Sequence, residues 1–169
     1  MTKVGIIGTG MLGEAVGLHL LNSNHTVTVF NRTKDKTEKL VDAGATLTES
    51  PKEVAENSDL VITVVRDADA VSEVAFGEDG IISGKHDGMV VADMSTINPN
   101  SAKEISQKFE SSGVEFLEIP VMGGPNVAID GKLVMMVSGK KKSLKNARKR
   151  LILLHIKLTF WEMQEPHIQ

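Results

Sequence analysis

With 169 residues, a hydrophobic fraction of 41% and a charged fraction of 24%, the chain has room for one α/β domain with a real core but not for two full domains. No apolar run reaches the ~18 residues of a transmembrane helix, the N-terminus lacks signal-peptide architecture, and the absence of cysteine excludes disulfides and thiolate metal sites. A cytoplasmic protein without membrane association is expected, and a formal net charge of −3 argues against nucleic acid as the main partner.

In chain order, Val4-Gly5-Ile6-Ile7 reads as a buried first strand, and Gly8 to Gly13 as a turn. Leu12, Ala15, Val16 and Leu20 recur at helical spacing and predict a helix ending near Asn22-Ser23-Asn24. Thr26 to Phe30, β-branched and apolar, predicts a second strand. Lys34 to Ala43 predicts a short amphipathic helix closed by Gly44, and Pro51 opens another with Ser50 as its N-cap. A third strand is expected over Leu60 to Val65, a helix over Asp67 to Ala75, and a fourth strand over Met89 to Ala92. Ser101 to Phe109 reads as helix, Val114 to Leu117 and Leu133 to Val137 as strands, and a basic helix follows from Lys141. Strand and helix alternate across short turns, which predicts a Rossmann-like, doubly wound and mainly parallel sheet. Leu158 to Gln164 shows no clear period and contains the single Trp.

Four motifs carry chemistry. Gly8-Thr9-Gly10-Met11-Leu12-Gly13 follows a strand and opens a helix at the start of a βαβ unit, the context a dinucleotide-binding glycine loop requires. Gly8 permits the tight turn, Gly10 lets the backbone approach a pyrophosphate, and Gly13 lets helix and strand pack closely. The free N–H groups at the helix N-terminus favour phosphate. Asn31-Arg32-Thr33 ends the second strand, where an adenosine ribose is read. An acid there would favour a 2′-hydroxyl; Asn followed by the cationic fork of Arg32 and the hydroxyl of Thr33 favours a 2′-phosphate, hence NADP over NAD. Asp93-Met94-Ser95-Thr96 follows the fourth strand, where Ser95 and Thr96 either meet cofactor and substrate or belong to the start of the helix near Asn98-Pro99. Pro120 to Pro125 includes Met122-Gly123-Gly124, whose backbone N–H groups either meet a ligand carboxylate or form a bare turn. The five histidines form no spaced cluster, and no metal site is expected; Lys140-Lys141-Lys142 reads as a solvated helix start.

In this order and spacing the four motifs resemble the β-hydroxyacid dehydrogenase family, which includes 3-hydroxyisobutyrate dehydrogenase, tartronate semialdehyde reductase and, more distantly, 6-phosphogluconate dehydrogenase. The resemblance runs from about Thr2 to about Ile156. It implies a Rossmann-like domain at residues 1–156, hydride transfer between NAD(P) and a small 3-hydroxy acid or its aldehyde, and, in the family, a second all-helical domain that forms the dimer. It also implies a pyrophosphate on Gly8 to Gly13, a 2′-phosphate near Asn31, Arg32 and Thr33, and cofactor along the backbone of Val65 and Arg66. Thr96 would lie by the nicotinamide ribose, and Ser95 with Met122-Gly123-Gly124 would face the substrate.

Three departures stand out. Arg66 replaces a proline, which matters little if backbone makes the contact. Met122 replaces a serine, and a thioether is a poor partner for a carboxylate. The family's Gly-x-Gly-x-x-x-Lys-x-x-x-Asn segment with its catalytic lysine does not appear, so no catalytic residue is assigned. Read one base earlier, the codons of Phe160 to Gln164 give Leu, Gly, Asn or Asp, and Ala, and the next gives Gly or Arg, close to what the family carries before its lysine. Residues 157–169 are therefore expected to be an atypical, possibly frameshifted tail on a truncated chain. Such a chain is expected to be inactive alone and to self-associate through the face left by the helical domain. A non-catalytic NADP-binding module and an imine reductase are the competing expectations.

Overall fold

In a computed structural model the described residues are 2–137, 151 and 157–160, the last four through their backbone. β1 (Lys3–Ile7) lies at the centre of a six-stranded sheet. It pairs in parallel with β2 (Thr26–Phe30) on one side and β4 (Leu60–Thr63) on the other. β3 (Thr46–Leu47) extends the sheet beyond β2; β5 (Val90–Asp93) and β6 (Glu115–Glu118) extend it beyond β4, giving the order β3-β2-β1-β4-β5-β6 with every pair parallel. This is the doubly wound arrangement expected from the alternation of strands and helices.

Both faces of the sheet are covered, which is why its central strands are continuously apolar. Val4 and Ile6 of β1 join a core layer with Val16 and Leu20 of α1 (Met11–Asn22) and Leu40 of α2 (Glu38–Asp42). Ile7 points to the other face, where α3 (Pro51–Glu56), α4 (Ala68–Phe76) and α5 (Pro99–Ser111) contribute Val54, Val71, Ile105 and Phe109. Phe109 stacks on Phe116 with ring centroids 4.7 Å apart, a contact favoured beyond the area it buries. The caps are those the sequence indicates: Ser50 Oγ accepts from Glu53 N–H at 3.2 Å at the start of α3.

Several elements differ from expectation. The segment from Lys34 splits into a 3₁₀ turn over Lys34–Thr37 followed by α2, with Thr37 Oγ1 donating to Lys34 O at 2.6 Å; such side-chain bonds to the backbone compete with a continuous helix. The third predicted strand stops at Thr63, and Val64 and Val65 turn out of the sheet. Some pieces have no expectation behind them, among them β3, a 3₁₀ turn over Ile81–Gly84, and α6 (Pro125–Ala128). A second small sheet joins β7 (Val121–Met122), β8 (Val134–Val137) and β9 (Lys157–Phe160), with β7 antiparallel and β9 parallel to β8. A backbone strand thus stands at the beginning of the segment that shows no period in sequence. The basic helix expected from Lys141 lies outside the described residues.

Candidate cofactor site

At the carboxyl ends of β1, β2 and β4 opens a cleft of about 590 Å³, within the usual size range of small-molecule sites. Gly8 and Gly10 form its floor, Asn31, Arg32, Thr33 and Lys36 one side, and Val64, Val65 and Arg66 another. The far wall is α4 and the turn beyond it, through Ala70, Glu73, Val74 and Gly77 to Gly80. This is the crevice where strand order reverses about β1, the place where open α/β sheets bind ligands.

The three glycines of the loop have different surroundings. Gly8 has φ +97°, and a Cβ there would strike the carbonyl of Val64. A Cβ on Gly13 would strike the carbonyl oxygen of Gly8, so this residue sets the approach of α1 to the loop. Gly10 differs: a Cβ on it would meet nothing within 4 Å. Its freedom from side chain is therefore not required by the fold, and it lines the cleft at the N-cap of α1. A side-chain-free approach to a helix N-terminus fits a phosphate group.

Asn31 braces this loop. Its Oδ1 accepts from Thr9 N–H at 3.1 Å, and its Nδ2 donates to Thr33 O at 2.8 Å. The side chain is committed to the turn, leaving Arg32 and Thr33, both exposed, as the groups at the end of β2 that face outward. Arg32 makes no hydrogen bond or salt bridge with another described residue and lies in the cleft with Lys36. Arg66 donates from Nε to Asp67 Oδ2 at 2.7 Å, and Asp67 Oδ1 accepts from Ala70 N–H at 2.9 Å, capping α4. The backbone N–H of Ala70 and the guanidinium of Arg66 hold the Asp67 carboxyl below its usual range.

The remaining predicted residues lie elsewhere. Thr9 is buried, with no hydrogen-bond partner for its hydroxyl among the described residues. Met11 is 81% exposed at the start of α1, and Leu12 packs against the core. Ser95 is buried; its Oγ accepts from Val65 N–H at 3.0 Å, tying the end of β5 to the loop after β4. Thr96 lines a separate polar cleft of about 360 Å³ with Asp67, Asp69, Asn98 and Ser101. Asn98, not Ser95 or Thr96, caps α5, accepting from Ser101 N–H at 2.9 Å. Met122 is 62% exposed, Gly123 has φ +121°, and Gly124 precedes α6; none of the three lines either cleft.

The sequence reading gave no role to two carboxyls, one of them within the Asp93-Met94-Ser95-Thr96 motif. Asp93 and Glu118 stand opposite each other at the ends of β5 and β6. Asp93 is 2% exposed, and its Oδ1 accepts from Thr63 Oγ1 at 2.6 Å and Ser95 N–H at 3.1 Å. Burial pushes its pKa up against these bonds, and burial together with the charge of Asp93 pushes Glu118 up. The α4 wall was also missed, although Ala70, Glu73, Val74 and Gly77 fall at i, i+3, i+4 and i+7 directly after a strand.

The model for the NAD-binding domain of 6-phosphogluconate dehydrogenase matches residues 3–156. The chain belongs to this family. Its fold is thus that of a nicotinamide-cofactor domain from a family of NAD(P)-dependent oxidoreductases. Among relatives of this NAD-binding domain, the probable 3-hydroxyisobutyrate dehydrogenase-like 1, mitochondrial, of Arabidopsis thaliana is 39% identical over 145 residues, covering 85% of this chain and 43% of that protein. The human (Homo sapiens) cytokine-like nuclear factor N-PAC is 35% identical over 139 residues, covering 82% of this chain and 25% of that protein. The solved structure of Psf3 in complex with NADP+ and 2-OPP superposes with a TM-score of 0.86 at 29% identity, covering 94% of this chain and 56% of the other. The chain spans about half the length, or less, of the curated relatives it matches.

Proposed function

We propose that these residues are the NADP-binding part of an oxidoreductase that moves a hydride between NADP and a small 3-hydroxy acid or its aldehyde. The observation that carries this reading is Arg32: an exposed guanidinium without a hydrogen-bonded partner among the described residues, in the same cleft as Gly8 and Gly10. The asparagine before it is occupied in bracing the loop, and no acid stands at the end of β2 to claim a ribose 2′-hydroxyl. Gly10 and the N-terminus of α1 would hold the pyrophosphate, Arg32 and Thr33 the 2′-phosphate, and the Val65–Arg66 backbone the path between. When bound, the cofactor supplies or accepts the hydride. Thr96 would lie beside the nicotinamide ribose, and Ser95, by fixing Val65, keeps the loops after β4 and β5 in register. The backbone of Met122-Gly123-Gly124 would face the substrate carboxylate.

No residue of the chain is assigned the proton transfer that accompanies hydride transfer, a role worth about 10²–10⁴-fold in rate. These 169 residues alone are therefore expected to bind NADPH with little turnover of semialdehydes.

Titration with both cofactors tests the reading. NADPH should bind at least several-fold more tightly than NADH, and Arg32→Ala should weaken NADPH while leaving NADH nearly unchanged. Equal affinities in the unsubstituted chain would overturn the NADP assignment. The second reading is a non-catalytic NADP-binding module, left open because no residue of the chain is assigned the proton transfer. NADPH oxidation with small semialdehydes separates the two: turnover, by this chain or by a longer one that contains it, supports the enzyme, and cofactor binding without turnover in both supports the module.

A further inference from the structure

We propose that Asp93 is a positioning residue for the cofactor cleft: its buried carboxyl anchors a bracket that runs from Thr63 through Asp93 and Ser95 to Val65 and fixes the loop after β4 against the glycine loop. This inference rests on the reading that the cleft takes a nicotinamide dinucleotide. β4 and β5 end side by side, because their last residues, Thr63 and Asp93, are paired in register. One backbone bond follows, from Met94 N–H to Thr63 O at 2.9 Å. The next link across to the β4 loop is made by side chains. Asp93 Oδ1 accepts from Thr63 Oγ1 at 2.6 Å and from Ser95 N–H at 3.1 Å. Ser95 is thereby held where its Oγ accepts from Val65 N–H at 3.0 Å. Thr63, Asp93 and Ser95 are all buried, and a polar group left unpaired there would carry its full desolvation cost.

The bracket ends at the cleft itself. Val64 and Val65 line it, and the Val64 carbonyl stands where a Cβ on Gly8 would fall. A displaced β4 loop would therefore press on the glycine loop or open a gap beside it, in the place where the dinucleotide runs. Arg32 and Thr33 belong to the other side of the cleft, at the end of β2, and make no part of the bracket. Its loss should thus weaken NADPH and NADH alike, in contrast to the loss of Arg32. Both donors to Asp93 Oδ1 are uncharged, so the bracket uses the acceptor oxygen rather than the charge, and an amide can supply the same oxygen.

The test titrates NADPH and NADH into the full chain and into Asp93→Ala, Asp93→Asn, Ser95→Ala and the double variant Asp93→Ala/Ser95→Ala. Amide hydrogen exchange at Val65 is followed without cofactor. Asp93→Ala should weaken both cofactors roughly tenfold, the size of one lost hydrogen bond to a charged group. The ratio of the two affinities should not change, and exchange at Val65 should speed up. Asp93→Asn should bind both cofactors within about twofold of the unsubstituted chain. The double variant should bind no more weakly than the weaker single one, because both changes act through the one bond to Val65 N–H. Full affinity in Asp93→Ala, additive losses in the double variant, or an Asp93→Asn loss as large as that of Asp93→Ala would each overturn the role of Asp93. Should Asp93→Ala not fold, Thr63→Val takes its place: it removes one donor to Asp93 with little change of shape. It should weaken both cofactors severalfold, and full affinity there would overturn the role. These outcomes leave the dinucleotide reading standing. An unsubstituted chain that binds neither cofactor overturns that reading and this inference with it.

Discussion

At the residue scale, three glycines in one hexapeptide have three different reasons to be glycine. Gly13 is packed against the carbonyl oxygen of Gly8, whereas Gly10 faces open space in the cleft. Gly13→Ala should therefore destabilise the fold by about 1–3 kcal/mol, as overpacking does. Gly10→Ala should leave the melting temperature unchanged and abolish NADPH binding. Thermal unfolding with a parallel cofactor titration separates the two, and a destabilised Gly10→Ala variant would show that Gly10 serves the fold. Asp93 gives the pH dependence. Its pKa is raised, so the folded state favours the protonated form; its contribution to stability is present below the ordinary carboxylate range and lost as pH rises through the raised value. Asp93→Asn keeps an acceptor for Thr63 Oγ1 and Ser95 N–H without the buried charge. Relative to the unsubstituted chain it should gain stability as pH is raised from 4 to 7, measured by urea unfolding across that range. A difference independent of pH would refute the assignment.

At the element scale, the helices of the far half of the sheet depend on short polar caps. Asn98 accepts from Ser101 N–H ahead of Pro99 and α5, and Asn98→Ala should cost about 1 kcal/mol in denaturant unfolding; no change would mean that packing of Ile105 and Phe109 alone defines where α5 begins. The long elements were legible in sequence because their burial repeats: β1, β4 and β5 are rich in Val and Ile, and α1 and α5 carry apolar residues at helical spacing. What sequence did not reveal was short or held by distant partners. Two-residue strands such as β3 and β7 have no measurable period, and they exist because Val29 and Met135 offer backbone to pair with. In the site, the glycine loop and Arg32 could be read locally. The bracing role of Asn31 could not, because it depends on Thr9, 22 residues away. Nor could the facing of Asp93 and Glu118, which only the β5–β6 register creates.

At the scale of the whole molecule, the strand order has a temporal consequence. β1 is made before the other strands of this sheet, yet it sits in the middle of it, and its second neighbour begins only at Leu60. While the chain is being synthesised, β1 and β2 can pair early, but the other edge of β1 stays open until β4 has emerged. Contacts so far apart in sequence form late and slow the folding of parallel sheets. The cleft inherits this delay, since Gly8 and Arg32 come from the early half and Arg66 and α4 from the late one. Nascent chains stopped before Leu60 should not be retained on an NADPH-linked resin, whereas chains extending past Gly80, which closes the far wall, should begin to be. Retention of the shorter chains would mean that the βαβ unit alone suffices. The cofactor would thus act as a clasp across the two halves, reporting by its binding that the nascent sheet has been joined.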